Sequence, residues 1–380
     1  MPHTKAIFIR IFVFAVMLFA LTSFALAAEP TPEPPTLDEV ISEQADAIGV
    51  PELEGALPPE AAELTDGLTV LNAADTQGWF GKIIGNAWSK VRGIVTASMR
   101  NAAVIVLAAM FSGIFVTMLP TGHGNYAVLA GVLAISAVSL ATVNTFIGMG
   151  ARVLDDLVTF SRMLLPTLAA ASAASGAITS ASVKYAATTL FLNILITGMR
   201  TVIMPLIYAY CAVSVAESAV GTDALAGVSN LIKWLVKTLL TGFSLVFVVY
   251  MSITGVIAST SDAAAVKATK TMISTVLPVV GSILADAADT VLSGAAILRG
   301  AVGVFGVLAV VAVCAVPFLK LGVNYLLFKA AGGLSGAVAD SRISKLINAF
   351  GTAFGMTLAM AGVCAVMLFV AIISTIRFVT

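Results

Sequence analysis

The amino-acid sequence predicts an all-α, polytopic membrane protein with six to eight membrane spans and additional amphipathic helices at the membrane surface. Hydrophobic residues make up 59% of the 380 residues and charged residues only 11%, whereas soluble domains carry about 25% charged residues. The mean hydropathy is correspondingly high, at +1.04. Apolar runs recur along the chain, and several have the roughly 20 residues that a helix needs to cross a bilayer. Short segments with glycine, proline or charged residues separate them.

The first residues have the pattern of an export signal. Lys5 and Arg10 precede a long apolar run, which ends with the small residues Ala25 and Ala27. We therefore expect residues 1–28 to form a signal peptide that is cleaved at its end. An uncleaved first membrane helix is the alternative, because the apolar run is long for a signal peptide. In either case we expect the segment that follows to be extracytoplasmic.

Residues 29–78 are predicted to form an acidic, Pro-rich arm. Twelve of the twenty acidic residues lie between Glu29 and Asp75, where there is no Lys or Arg. Because the segment has few large apolar side chains, we expect a few short helices and partial disorder. Residues 79–100 then combine basic residues with Trp, Ile and Val, a pattern that predicts an amphipathic helix lying on the membrane. A helix that docks on a partner protein is the alternative.

Residues 101–380 are predicted to form the membrane domain. Spans are predicted at 102–119, 126–147, 185–216, 238–259, 300–317, 318–338 and 350–376. The charged segment 151–162 is predicted to be a separate interfacial helix. Residues 164–182 are rich in Ala, Ser and Gly, which permit close helix approach, so we assign them to the protein interior. Proline is expected to break or kink a helix at four positions, namely Pro166, Pro205, Pro278 and Pro317.

A tandem internal repeat is a further hypothesis. At an offset of 112 residues, Pro166 corresponds to Pro278 and Pro205 to Pro317. The order of spans, charged segments and polar linkers repeats at the same offset. The two units would cover residues 126–237 and 238–349.

A polar stripe on an otherwise apolar helix is the most unusual feature of the membrane domain. Ser282, Asp286, Asp289 and Ser293 follow at steps of four, three and four residues, with Thr290 beside them. In a helix these residues share one face. Because a carboxylate facing lipid is costly, the face must contact protein, water or the membrane surface. We interpret it as a polar seam within the membrane domain or against a partner. A cation or proton site and a structural ion pair are the alternatives.

No sequence pattern supports catalysis or a cofactor. Cys211, Cys314 and Cys364 lie in apolar segments, which indicates buried hydrophobic residues rather than disulfides or a metal site. The two histidines, His3 and His123, form no metal-binding or catalytic pattern. Nucleotide-binding, zinc-protease and serine-hydrolase motifs are missing from the sequence. We therefore expect no enzyme activity, no metal, no cofactor and no nucleic-acid partner.

Two runs in the membrane domain carry a family resemblance. They are LLPTLAAASAASGAITSA at 164–181 and LPVVGSILADAADTVLSGAAIL at 277–298, the second containing an Asp-Ala-x-Asp-Thr-Val-Leu pattern that starts at Asp286. Together with the export signal and the first hairpin of spans, they resemble the stage III sporulation protein AE family of endospore-forming bacteria. The resemblance covers about residues 80–380.

The resemblance implies a membrane subunit of the transenvelope complex between mother cell and forespore, with a structural or channel-forming role in endospore development. It implies a location in the mother-cell membrane around the forespore. The implied partners are other proteins of the same sporulation operon, including a secretion-type ATPase and ring-forming membrane proteins. A forespore membrane protein across the intermembrane space and the membrane insertase are also implied. The alternative is an autonomous secondary transporter that uses Asp286 and Asp289 as a cation or proton coupling site.

Overall fold

The computed structural model describes residues 36–118, 124–176, 178–221, 225–258 and 281–377. At residues 117, 178–184, 254–258, 281–288 and 377 it describes the backbone alone. All regular secondary structure in these ranges is helical. The predicted signal peptide and Pro278 lie outside the described residues.

Three short helices form the described part of the arm: α1 (Leu37–Ala47), α2 (Val50–Gly55) and α3 (Pro59–Leu64). A capping box starts α1, in which the Thr36 hydroxyl accepts from the Glu39 amide and the Glu39 carboxylate accepts from the Thr36 amide. Gly49, at φ +79°, allows the tight turn into α2. Each of these helix ends therefore has a local sequence cause.

The rest of the chain forms long helices. They are α4 (Thr76–Met118), α5 (Gly124–Ala174), α6 (Ile178–Gly198), α7 (Met204–Val220), α8 (Ala226–Ala258), α9 (Gly281–Ser335) and α10 (Ser341–Arg377). A five-residue π-helical segment, Met199–Ile203, joins α6 to α7. Six of the described helical stretches are long and apolar enough to cross a membrane, with α6 and α7 counted as one stretch. The prediction of an all-α, polytopic membrane protein is confirmed.

Several segments predicted as separate elements are continuous in the structure. Residues 79–100 and the predicted first span share the 43-residue helix α4, and the charged segment 151–162 lies inside the 51-residue helix α5. The predicted span 300–317 and residues 318–335 of the predicted span 318–338 both lie in α9. Charged side chains extend away from the helix axis and leave the backbone hydrogen bonds intact, so charge alone does not end a helix. Whether residues 79–100 lie on the membrane surface stays a prediction.

The length of α5 shows that the helices extend beyond the hydrocarbon layer. At a rise of about 1.5 Å per residue, its 51 residues span roughly 75 Å. The hydrocarbon core of a bilayer is only about 30 Å thick. Part of α5 therefore projects outside the membrane or runs along its surface.

The described prolines occupy different positions in the helices. Pro166 lies inside α5 and Pro317 inside α9, and both helices continue past them. Pro205 is the second residue of α7, which follows the π-helical segment. Packing by neighbouring helices lets proline occupy a membrane helix without ending it. A kink at these positions stays a prediction, as does the 112-residue repeat.

The antiparallel pair α9 and α10 forms the centre of the helix bundle. These helices contact each other more extensively than any other pair, and α4 and α5 pack around them. Phe328 and Phe354 are fully buried between them in an edge-to-face arrangement, with ring centroids 4.9 Å apart. Asn324 of α9 donates from Nδ2 to the Ser98 hydroxyl of α4, at 3.2 Å. By contrast, Phe111 and Leu245 of the outer helices are exposed, as expected for lipid-facing positions.

Candidate functional site at the start of α9

The polar stripe lies in the first three turns of α9. Because the backbone is helical from Gly281 onward, the stripe positions do follow one helix at the predicted steps. For Ser282 and Asp286 the structure describes the backbone alone. Asp289, Thr290 and Ser293 are exposed. The interpretation of these five residues as a seam, an ion site or a partner contact stays a prediction.

Helix α1 of the acidic arm lies on α9 at the level of the last residues of the stripe. Gln44 donates from Nε2 to the backbone carbonyl of Val291, at 3.0 Å. A Cβ atom at Gly294 would lie 3.3 Å from Gln44 Oε1 and 3.5 Å from the Cγ1 atoms of Val40 and Ile41. The missing side chain of Gly294 therefore permits the close approach of α1. The arm and the stripe therefore lie at the same end of α9 but on different sides of the helix, a proximity that sequence reasoning did not predict.

Helices α2 and α3 fix the arm to the remaining bundle. Leu53 of α2 and Leu64 of α3 are completely buried in the same hydrophobic core as the long helices. Helix α2 contacts α5, and α3 contacts α9 and α4. Lys90 of α4 forms an ion pair with Glu63 at the edge of this contact. The described arm is thus an ordered part of the bundle.

The outer surface of the arm is acidic. Within residues 36–75, which contain no Lys or Arg, the exposed acidic residues are Asp38, Glu39, Glu43, Asp46, Glu52, Glu60, Glu63, Asp66 and Asp75. Like charges at this density produce a negative potential over the start of α9. A protein that binds this surface would need a basic face.

Arg299 is a further unusual residue near the site. It lies in α9 about 15 Å along the helix from Asp289, and it is only 6% exposed. Its Nη1 is 3.4 Å from the Ser175 hydroxyl at the end of α5. Its buried Nε has no hydrogen-bond partner among the described residues. A buried arginine is costly in a membrane protein and marks a candidate functional residue. In the sequence, Arg299 could have been noticed as a single charged residue between the apolar neighbours Leu298 and Gly300.

The described side chains include no group of three or more His, Cys, Asp or Glu residues that could hold a metal ion. Cys211, Cys314 and Cys364 are free and buried. The prediction that they are buried hydrophobic residues is confirmed. The described carboxylates at the site are those of the arm and that of Asp289 on α9.

Comparison with known proteins gives two matches. The family model described as stage III sporulation protein AE matches residues 66–378, a range that contains α4 to α10 and the polar stripe. The stage III sporulation protein AE of Bacillus subtilis (strain 168) is 25% identical over 209 residues. The alignment covers 55% of this chain and 52% of that relative, so the chain spans about half the length of the relative. No solved structure matches.

Proposed function

The chain belongs to the stage III sporulation protein AE family, and from this premise we propose that it is a membrane subunit of a transenvelope complex between mother cell and forespore. Its role in this proposal is structural: it carries a docking surface for the other subunits. The partners are membrane and secretion-type proteins of the same sporulation operon. The protein lies in the mother-cell membrane, with the arm on the extracytoplasmic side, toward the forespore.

One observation carries the proposal: the acidic arm is ordered and packed on the start of α9. Val40 and Ala45 of α1 are buried, and Gln44 is bonded to the α9 backbone, so the acidic face has a defined position. A fixed charged face suits recognition, because charge complementarity gives partner specificity and steers association. A flexible acidic tail would offer the same charge without a defined geometry.

The packing of the central helices favours a structural role over a pore through a single chain. Phe350 of α10 is fully buried, as are the facing rings Phe328 and Phe354. Close aromatic packing of this kind leaves no space for a water-filled path through the contact itself. Channel formation would then require several copies of the chain or additional subunits.

The exposure of Asp289 favours docking over a transport site. Coupling carboxylates in transporters usually face the interior of the helix bundle or a water-filled cavity. Asp289 is exposed on α9, five residues before the arm contact at Gly294. A position on the outer surface suits contact with a partner better than ion coupling.

The arm's charge can be tested in the full-length protein in a sporulating host. Replacement of Glu43, Asp46 and Glu52 by Gln, Asn and Gln removes three exposed charges that make none of the hydrogen bonds described for the arm. We expect loss of partner co-purification and fewer heat-resistant spores at unchanged protein level. The matched control is the swap Glu43→Asp, Asp46→Glu and Glu52→Asp, which keeps the charge and should behave as wild type. Normal partner recruitment by the neutralised variant would contradict the proposal.

A further inference from the structure

A crevice between α7, α8, α9 and α10 has no role in the proposed docking surface. It consists of two cavities of about 1020 Å³ and 260 Å³. Asn230, Lys233, Lys329 and Thr352 line both cavities, so the two adjoin. The larger cavity alone is at the upper end of the roughly 300–1,000 Å³ that small-molecule sites occupy, so a large ligand fits the space.

The narrower end of the crevice is basic. Four lysines line the two cavities, Lys233, Lys237, Lys329 and Lys345, against the single acidic residue Glu217. The Glu217 carboxylate accepts a hydrogen bond from the Ser229 hydroxyl at 2.8 Å. No described acidic group lies within ion-pair distance of Lys233, Lys237 or Lys329. The positive charge of this end is therefore available to a ligand.

Lys329 is held in a fixed position by the crevice wall. Its Nζ donates to the Asn348 carbonyl at 3.1 Å and to the Thr352 hydroxyl at 2.8 Å. An ammonium group has three N–H donors, so these bonds leave one for a bound anion. Lys233, on the facing helix α8, lies with its Nζ 6.0 Å from the centre of the Tyr210 ring. The two lysines line both cavities, one from α8 and the other from α9.

The larger end of the crevice is apolar. Its wall is formed along α8 by Val236 and Leu240 and along α10 by Met356, Leu358 and Val363. Trp234 lies beside the lysines and is 59% exposed. Tryptophan next to lysine is typical of the headgroup level of a membrane, with the hydrocarbon layer beginning one or two helical turns away. The crevice thus changes from basic to apolar along the helices, as a phospholipid does.

We propose that this crevice binds one anionic phospholipid. The phosphodiester lies between Lys233 and Lys329, and an acyl chain follows the apolar wall toward Val363. Basic pockets between membrane helices bind lipid headgroups of this kind. A free phosphate would leave the apolar part of the cavity unfilled, and a second copy docking through the same face would bring its own lysines against these.

Native mass spectrometry of the detergent-solubilised full chain tests the proposal, with phosphatidylglycerol, phosphatidylcholine or inorganic phosphate added in separate experiments. We expect one retained phosphatidylglycerol, weaker retention of phosphatidylcholine, and no displacement of the lipid by millimolar phosphate. Equal retention of the two lipids would show that the net negative charge of the lipid does not contribute to binding, which would contradict the proposal. Displacement by phosphate would show a site for a free anion, and a dimer without bound lipid would show a protein interface. Either result would overturn the proposal.

Two variants locate the site. Lys233→Gln combined with Lys329→Gln should lower phosphatidylglycerol retention about tenfold or more, the effect of losing one or two charge-assisted hydrogen bonds. Lys320→Gln, on the same helix as Lys329 but outside the crevice lining, is the matched control. Unchanged retention by the double variant, with wild-type melting behaviour, would contradict the proposal.

A substitution in the apolar part keeps the test independent of the lysines. Ala359 is exposed and lines the larger cavity, so Ala359→Trp should fill the acyl-chain path without disturbing the core. We expect loss of phosphatidylglycerol. Val366→Trp, on an exposed position of the same helix outside the lining, should retain it. Equal lipid retention by the two variants would exclude the proposed acyl-chain path.

Discussion

At the scale of single residues, Gly294 determines whether the arm can lie on α9. A Cβ atom at Gly294 would already be in tight contact with the side chains of Gln44, Val40 and Ile41. Gln44 then adds a hydrogen bond to the backbone of Val291. The hydrogen bond joins residues 247 positions apart in the chain, which is why the polar stripe was visible in the sequence but its intrachain neighbour was not.

Gly294→Leu is expected to release the arm, because the larger side chain would occupy the space of α1. The arm contains exposed glutamates but no Lys or Arg, so a glutamate-specific protease should cleave the released arm faster than it cleaves wild type. Gly300→Leu is the matched control, since a Cβ atom at Gly300 would have nothing within 4 Å. Equal cleavage rates for the two variants would contradict the close packing at Gly294.

Arg299 gives a second residue-scale prediction. Ser175→Ala removes the hydroxyl near the buried guanidinium and should lower the free energy of unfolding by about 1–3 kcal/mol, the usual effect of leaving a buried charged group without its hydrogen bond. Arg299→Met removes the buried charge together with its need for a partner, and should cost less than Ser175→Ala. Thermal unfolding of the solubilised variants, combined with spore counts, checks both. A sporulation defect of Arg299→Met without loss of stability would identify a functional role. Lower stability of Arg299→Met than of Ser175→Ala would contradict the expectation.

At the scale of elements, the sequence predicted helix type well and helix ends poorly. Hydropathy identified the membrane-spanning runs, because a run of about 20 apolar residues is the length that a helix needs to cross the bilayer. The ends of α4, α5 and α9 were missed because the charged segments inside them do not interrupt backbone hydrogen bonding. The short helices of the arm have local signals such as the Thr36 and Glu39 capping box, but their packing depends on distant residues.

The packing of the arm predicts a stability difference between two leucines. Leu53 of α2 is completely buried, whereas Leu71, just after the arm helices, is 57% exposed. Leu53→Ala should destabilise the folded arm by about 2–5 kcal/mol, the range for buried leucines. Leu71→Ala should have little effect. Hydrogen exchange of the arm amides in the solubilised protein measures the difference, and equal exchange in both variants would show that the arm is not packed as described.

At the scale of the whole molecule, the family and the membrane class followed from sequence, while the candidate site needed the fold. The stripe around Asp289 was recognised from its spacing, since a helical period is a local property. The acidic arm was recognised from composition alone. Only the folded chain brings the two together, so that the carboxylates of both lie at the same end of α9 and form its acidic surface. The lysine crevice was missed because its walls come from four helices spread over residues 204–377.

The docking role of that acidic surface is tested most directly by partner recruitment in a sporulating host that carries Asp286→Asn and Asp289→Asn. The full-length variant should insert stably, fail to co-purify its operon partners, and block sporulation, because the carboxylates form part of the contact. A sporulation block with partners assembled normally would contradict docking and favour transport. Normal sporulation with normal recruitment would show that neither carboxylate is needed for docking.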